Sequence, residues 1–387
     1  IGPAISLSNI LTIIFIFLLL FLNKNSFFLL KKKTIFLLIF LYFYLIFNSL
    51  ISINFDVGAV RNFGFIRYII LFIALNYFFL ICGNINKLFN FWILIFSIVL
   101  FDIIYEFYNG QNILGFESND KKRIVSFFKD ESIVGAFING FFFILIGFIF
   151  KNYEKKNNIE KFLIYFFIVL TVSCIIFTGE RSNTLKFFLG LSIFFWLNNK
   201  IKLNYKLFFA ITIISIFFIS FFQFTEIRHR YQNDILQKIT DQETRKNYIY
   251  FKLYNSGLEV FKKYPFFGVG NKNYRVETCG VQNKTYICNS HPHQIYIEFL
   301  SEHGIIGTII LLSILFYLLF KHLKIILLNR NLIQIGCFSY LITIFIPVLP
   351  GGSFFSDFNA TIFWINFSLF YASNLNTNIF NKFHKLN

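Results

Sequence analysis

The sequence predicts an all-α polytopic integral membrane protein, and three observations carry that prediction. Hydrophobic residues make up 56% of the chain and charged residues 14%, which is more apolar surface than a soluble domain covers with polar atoms. Apolar runs of about 20 residues, enough to cross a hydrocarbon core roughly 30 Å thick, recur along the whole length. Between the runs, Lys and Arg concentrate in alternate loops. The 61 phenylalanines, with the heavy use of Ile, Asn and Lys, fit an AT-rich coding sequence and are not read as an aromatic binding site.

The runs lie near residues 5–22, 34–54, 65–82, 88–108, 132–150, 161–178, 183–197, 206–224, 304–320, 332–350 and 358–372, giving eleven transmembrane helices of which the seventh is short. No Met occurs, not even at position 1, and the chain starts at the edge of an apolar run, so a longer chain with twelve spans is expected. No signal-peptide pattern is present, and none is needed where the first spans target the chain themselves.

One alternate set of loops holds Lys24, Lys31, Lys32, Lys33, Lys87, Lys151, Lys155, Lys156, Lys161, Lys200, Lys202, Lys206, Lys321, Lys324, Arg330, Lys382 and Lys385. The opposite short loops hold only Arg61, Lys121, Lys122, Arg123, Lys129 and Arg181. Positive residues are retained inside, so the first set is cytoplasmic. This accounts for much of the net charge of +17 without invoking a nucleic acid. Three segments follow: 1–224 with the first eight spans, an outer loop domain at 225–303, and 304–387 with the last three spans and a cytoplasmic tail.

The smaller outer segment, 109–131, mixes Glu117, Asp120, Asp130 and Glu131 with its basic residues and reads as a solvated surface loop. In the larger one, residues 233–264 read as mostly helical, with Ile235, Ile239, Tyr248, Phe251, Leu258 and Phe261 near the helical repeat. The run from Pro265 to Gly270 stops that helix and turns the chain. Cys279 and Cys288 then stand nine residues apart, and a disulfide suits an oxidising compartment. Cys82, Cys174 and Cys337 fall in or at the ends of spans and read as small apolar fillers.

Three places can carry chemistry. Arg181 starts the seventh span in an outward-facing turn, where free backbone N–H groups, the helix dipole and a planar guanidinium all favour a phosphate. The plainer alternative is an Arg that snorkels or pairs with Glu180. Arg245 lies on the outer-loop helix, with Tyr248 and Lys252 following on the same face; a solvated helix with charge pairs looks the same. The third place is 289–307, where His291, Pro292 and His293 precede the ninth span and His303 follows. A neutral imidazole is the usual general base near neutral pH, and Pro292 holds its predecessor extended. Glu302 can orient a histidine or cap the helix start. His-x-His with nearby carboxylates also admits a metal, for which further ligands are not identifiable, or a purely structural pair of imidazoles.

Taken together these places resemble the O-antigen ligase family. The family's His-Asn, aliphatic helix with Glu, and Gly-x-x-Gly is similar to His293 through Gly307, with Gln294 in place of Asn. Its Arg, helix and Pro-x-x-Gly-x-Gly turn resembles Arg245 through Gly270, and its Arg at the start of an outer-facing helix resembles Arg181-Ser182. The likeness spans roughly residues 130–320. It implies a glycosyltransferase C-like fold with one large periplasmic loop in a bacterial inner membrane. It also implies transfer of a glycan from undecaprenyl pyrophosphate to lipid A-core without a metal or other cofactor. In that reading His293, with His291 as rival, is the base; Arg181 and Arg245 bind pyrophosphate; Glu302, Tyr248 and Lys252 support them.

Other functions stay open. A polysaccharide polymerase of the same superfamily uses the same donor; its Arg-x10-Gly pattern is nearly met by Arg245 and Gly257, which have eleven residues between them. A related protein O-glycosyltransferase shares the architecture. An exporter needs many spans and intramembrane charge, but few charges besides Lys186 fall mid-span. A non-catalytic scaffold makes Arg181, Arg245 and His293 dispensable.

Overall fold

The computed structural model describes residues 32–81, 85–118, 123–129, 131–151, 153–199, 201–225, 228 and 248–381. It is all-helical, with no strand among the described residues. In chain order the α-helices are α1 (Lys33–Leu50), α2 (Phe55–Gly64), α3 (Ile66–Ile81), α4 (Asn86–Asn109), α5 (Val134–Phe150), α6 (Asn158–Phe177) and α7 (Arg181–Leu197). They continue with α8 (Leu203–Gln223), α9 (Ile249–Lys263), α10 (Tyr274–Gly280), α11 (Ile295–Phe320), α12 (Leu323–Asn329), α13 (Leu332–Ile344) and α14 (Asp357–Ala372). The apolar run at 5–22 and Cys82 lie outside the described residues. Every other predicted span has a helix.

Among the described residues, six helical stretches are long and apolar enough to cross a membrane: Lys33–Leu50, Phe55–Ile81, Asn86–Asn109, Asn158–Phe177, Leu203–Gln223 and Ile295–Asn329. The chain is a multi-pass membrane protein. Three of its spans differ from the sequence prediction, the third because its apolar helical stretch begins at Phe55, ten residues before the predicted 65–82. The helix that contains the ninth starts at Ile295 and is broken at Gly304, so nine helical residues, among them Glu298, Glu302 and His303, precede the predicted start of the span. The tenth, predicted to run to 350, ends at Ile344 after 13 residues, because Pro347 and Pro350 keep the residues before them out of the helical region and Gly351-Gly352 follow.

The helices form two units, one with α1–α3, α9–α12 and α14, the other with α4–α8 and α13. In the second unit α13 packs against α5 and α7. Small residues make that approach possible: a Cβ on Gly336 would strike the Phe143 carbonyl, and one on Gly147 the Leu332 carbonyl. The segment after α4, predicted to be a solvated loop, is anchored to that helix. Asp102 accepts from Ile113 N–H at 2.9 Å, and Glu106 from the N–H groups of Val125 and Ser126 at 2.9 and 2.6 Å. Asp102 and Glu106 are buried, as are Glu298 and Glu302 in α11, so the spans carry more charged residues than Lys186.

The first unit is arranged around a break in α11. Gly304 has φ 64° and ψ −172°, and the 265–270 turn docks into the gap. Ile305 N–H, which would ordinarily bond Ser301 O, donates to Pro265 O at 2.8 Å; Ile306 N–H donates to Phe266 O at 3.2 Å. The abandoned carbonyls are taken up in return, Ser301 O by Val269 N–H at 3.0 Å and Glu302 O by Gly270 N–H at 2.9 Å. Two rungs of the helix ladder are thus exchanged for four bonds to a foreign backbone. The next residues are fastened to the α1–α2 corner: Asn271 N–H donates to Asn48 Oδ1 at 2.8 Å, and Asn54 N–H to Asn273 Oδ1 at 3.0 Å.

Of the helix predicted over 233–264, the described part is α9, and its buried stripe is Leu253, Ser256, Gly257 and Val260. Phe251 and Leu258, placed on the apolar face by periodicity, are exposed. Gly257 explains the rotation, since it lets Ile297 approach to where its own Cβ would lie 2.4 Å from Ile297 Cγ2. The predicted positions Ile235 and Ile239 lie outside the described residues.

Gly304→Ala is expected to destabilise the protein by about 3 kcal/mol or more, because it adds backbone strain and a Cβ 2.3 Å from the Phe266 carbonyl carbon. Gly110→Ala has a similar φ of 79° and nothing within 4 Å of the added Cβ, so about 1 kcal/mol is expected. Thermal unfolding in detergent compares the two; equal losses would mean that the docked turn does not set the requirement at Gly304.

Candidate functional site

The site grows from the residues that lead into α11. Gln294 caps that helix, its Oε1 accepting Ile297 N–H at 2.8 Å. The helix start is therefore capped by the amide that replaces the family's Asn, and not by Glu302, which lies two turns further on. His293 sits at φ 59°, a left-handed backbone rare for a residue with a Cβ. Gly351 N–H holds it there, donating to His293 O at 2.8 Å.

The two histidine rings are 4.0 Å apart at their centroids, and Tyr250 lies edge-on to His293 at 5.7 Å. Their surroundings differ. His291 is buried, with Nε2 3.3 Å from Gly351 O and Nδ1 2.9 Å from Ser290 Oγ. A carbonyl can only accept, so Nε2 carries the proton and Nδ1 accepts from the Ser290 hydroxyl. Both nitrogens of His291 are committed. Burial pushes its pKa down to about 4; the Gly351 carbonyl opposes that shift and the Lys272 cation adds to it.

A second layer was not anticipated from sequence. Lys272 Nζ donates to Ser353 Oγ at 2.5 Å, and that hydroxyl donates to Glu298 Oε1 at 2.5 Å. Phe354 N–H takes the other oxygen at 3.0 Å. Glu298 and Glu302 are fully buried. The N–H groups of Lys272 and Tyr274 face the Glu302 carboxylate, although neither of its oxygens completes a hydrogen bond of normal geometry. Glu302 thus supports the broken helix and its docked turn. His303 is buried in the interior, with Nδ1 3.3 Å from Tyr44 Oη. The Pro and Gly residues at 347–352 were the available signal for the loop that carries Ser353; Lys272 had none.

Arg181 is the first residue of α7, partly exposed, and belongs to the second unit. The carboxylate of Glu180 is used by Gly135 N–H and Asn183 Nδ2, both at 2.6 Å. Arg245 lies outside the described residues, as does His229. Tyr248 precedes α9 and packs its ring against Tyr250 and Phe251, at centroid distances of 5.3 and 5.9 Å. Lys252 is exposed. Cys279 and Cys288 are joined by a disulfide. Among the described residues, no group of three or more His, Cys, Asp or Glu side chains converges as a metal site.

A multi-pass helical membrane protein with buried carboxylates and a fixed pair of histidines at a helix start is thereby defined. Residues 166–312 match the family model described as O-antigen ligase, so this stretch of the chain is similar to the O-antigen ligase family. The match lies within the stretch of sequence likeness and includes Arg181, Arg245 and the whole of 289–307. It supports a membrane enzyme of the O-antigen ligase/polymerase type. No curated protein matches the chain.

Folding lowers the pKa of His291, so the unfolded chain takes up a proton first as pH falls below about 6.5. The stability contributed by neutral His291 is complete above that pH and lost progressively down to about 4. His291→Asn is expected to flatten the acid-side fall of Tm across this window, by roughly 3 kcal/mol at its lower end. An acid limb of unchanged steepness would assign the effect to other groups.

Proposed function

We propose that the protein transfers an O-antigen glycan from undecaprenyl pyrophosphate to a sugar hydroxyl of lipid A-core. The reaction takes place at the periplasmic face of a bacterial inner membrane, on a glycosyltransferase C-like scaffold whose 225–303 loop domain is periplasmic. The observation that supports the assignment of the base is the position of His293 at the start of α11, where Gly351 N–H holds its backbone and its imidazole lies near enough to the buried Glu298 carboxylate to interact with it. The family match gives the substrate class in general terms, glycans and lipid-linked substrates.

In this mechanism His293 takes the proton of the acceptor hydroxyl as that oxygen attacks the anomeric carbon. The bond from that carbon to the pyrophosphate oxygen breaks, and undecaprenyl pyrophosphate leaves with the electron pair. Attack opposite the leaving group inverts the anomeric centre. Arg181 and Arg245 neutralise the charge that develops on the pyrophosphate, the task a metal ion has in many sugar-transfer enzymes. Glu302, Tyr248 and Lys252 support the site.

His293→Ala and Arg181→Ala are expected to abolish transfer while insertion and thermal stability stay normal. Purified protein is given lipid-linked glycan with lipid A-core, or alone. Product that requires lipid A-core supports ligation; a lengthened carrier-linked glycan identifies a polymerase; uptake into vesicles without transfer identifies an exporter. Full activity in either variant would defeat the mechanism.

A further inference from the structure

We infer that Lys272, Ser353 and Glu298 are positioning residues that hold the two histidines in register, with Lys272 acting on the buried carboxylate and not on the substrate. The inference deepens the transferase reading and rests on it for its kinetic part.

The chain of contacts is continuous. Lys272 reaches Ser353, Ser353 reaches Glu298, and Phe354 N–H closes the second oxygen of that carboxylate. Two residues before Ser353, Gly351 contacts both histidines: its N–H binds the His293 carbonyl and its own carbonyl accepts from the His291 ring. The 351–354 segment is therefore pinned at one end by Glu298 and grips His291 and His293 at the other. Glu298 lies on the first turns of α11, five residues after His293, so the loop closes back on the helix that the histidines begin.

Lys272 is itself held by its backbone. It has φ 65°, and its neighbours Asn271 and Asn273 are bonded to Asn48 and to the Asn54 amide. A lysine free to meet a phosphate is usually on a mobile stem; this one stands on a braced turn with its ammonium on a buried hydroxyl–carboxylate pair. The charge balance gives the reason. Glu298 and Glu302 are both fully buried, and Lys272 is the cation that acts on both carboxylates. Without it Glu298 would be a buried charge lacking its compensating partner, a strongly destabilising arrangement locally. Glu298 must then recruit a proton or water, and the Ser353 hydroxyl loses its fixed direction. The segment that aligns the histidines loosens.

The test uses the full chain in lipid nanodiscs, with Lys272→Met, Lys272→Arg and Ser353→Ala. Lys272→Met and Ser353→Ala are expected to lower kcat, by about a hundredfold for Lys272→Met, with KM for the lipid-linked donor unchanged. Lys272→Arg restores most of the rate. An increase in donor KM at constant kcat would make Lys272 a substrate ligand and overturn the inference, as would wild-type kinetics in Lys272→Met. Diethylpyrocarbonate labelling read by mass spectrometry is independent of activity. His291 is protected in the wild type, and its labelling rate is expected to rise in Lys272→Met and Ser353→Ala and to fall back in Lys272→Arg. Unchanged His291 protection in Lys272→Met and Ser353→Ala overturns the positioning role. Absence of any glycan transfer by the wild type defeats the transferase reading instead, and the labelling still decides the role of the three residues.

Discussion

The exchange of backbone hydrogen bonds at Gly304 is the constraint on which the first unit depends. A helix interrupted within a membrane protein must find other partners for the N–H and C=O groups it releases. Here the release at 301–306 is matched bond for bond by the 265–270 turn. The match requires two backbones in contact, and a Cβ on Gly268 or Gly304 would lie 2.3–2.4 Å from the opposing main chain. Pro265 suits its place because only its carbonyl is used. The turn is thereby fixed in position and direction, and Asn271, Lys272 and Asn273, which follow it, inherit that fixed geometry.

From this point polar groups are ordered outward from the break. Glu302 belongs to the break itself, with the amides of Lys272 and Tyr274 turned toward it. Glu298, one turn nearer the helix start, is joined through Ser353 to Lys272. His293 and His291 precede the helix and are aligned by Gly351. Each step is set by backbone bonds or by short side chains, with Lys272 the one long side chain among them. A histidine whose backbone is held this way has little conformational freedom to lose when a ligand arrives.

Much of the fold was legible because membrane insertion imposes long apolar runs, and those runs mark ten of the fourteen described helices. The stop at Pro265 to Gly270 was legible for the same kind of reason, since Pro and Gly act locally. What the turn stops against was not, because the partner carbonyls at Ser301 and Glu302 are distant in sequence and carry no distinguishing side-chain signal. The α9 stripe was misread because aromatic residues were taken to mark the buried face. Small residues, Ser256 and Gly257, mark it instead, and Phe251 faces outward. The loop after α13 begins inside the apolar run 332–350, where Pro347 and Pro350 already argue against helix; Ser353 lies beyond that run and carries no sequence signal of its own. Lys272 looked like any lysine of a polar loop; its role depends on φ 65° and on a carboxylate 26 residues away.

The histidine pair shows why spacing alone left two candidates. His-x-His in an extended strand would present both rings in equivalent surroundings on one face. The left-handed backbone at His293 breaks that equivalence. It turns the carbonyl to Gly351 and leaves the preceding ring to be enclosed by the same loop, whose carbonyl then fixes the His291 tautomer. An imidazole with its acceptor nitrogen already filled by Ser290 must break a hydrogen bond before it can accept a substrate proton. The asymmetry thus originates in one dihedral angle, and it is this angle that divides a structural histidine from the proposed base.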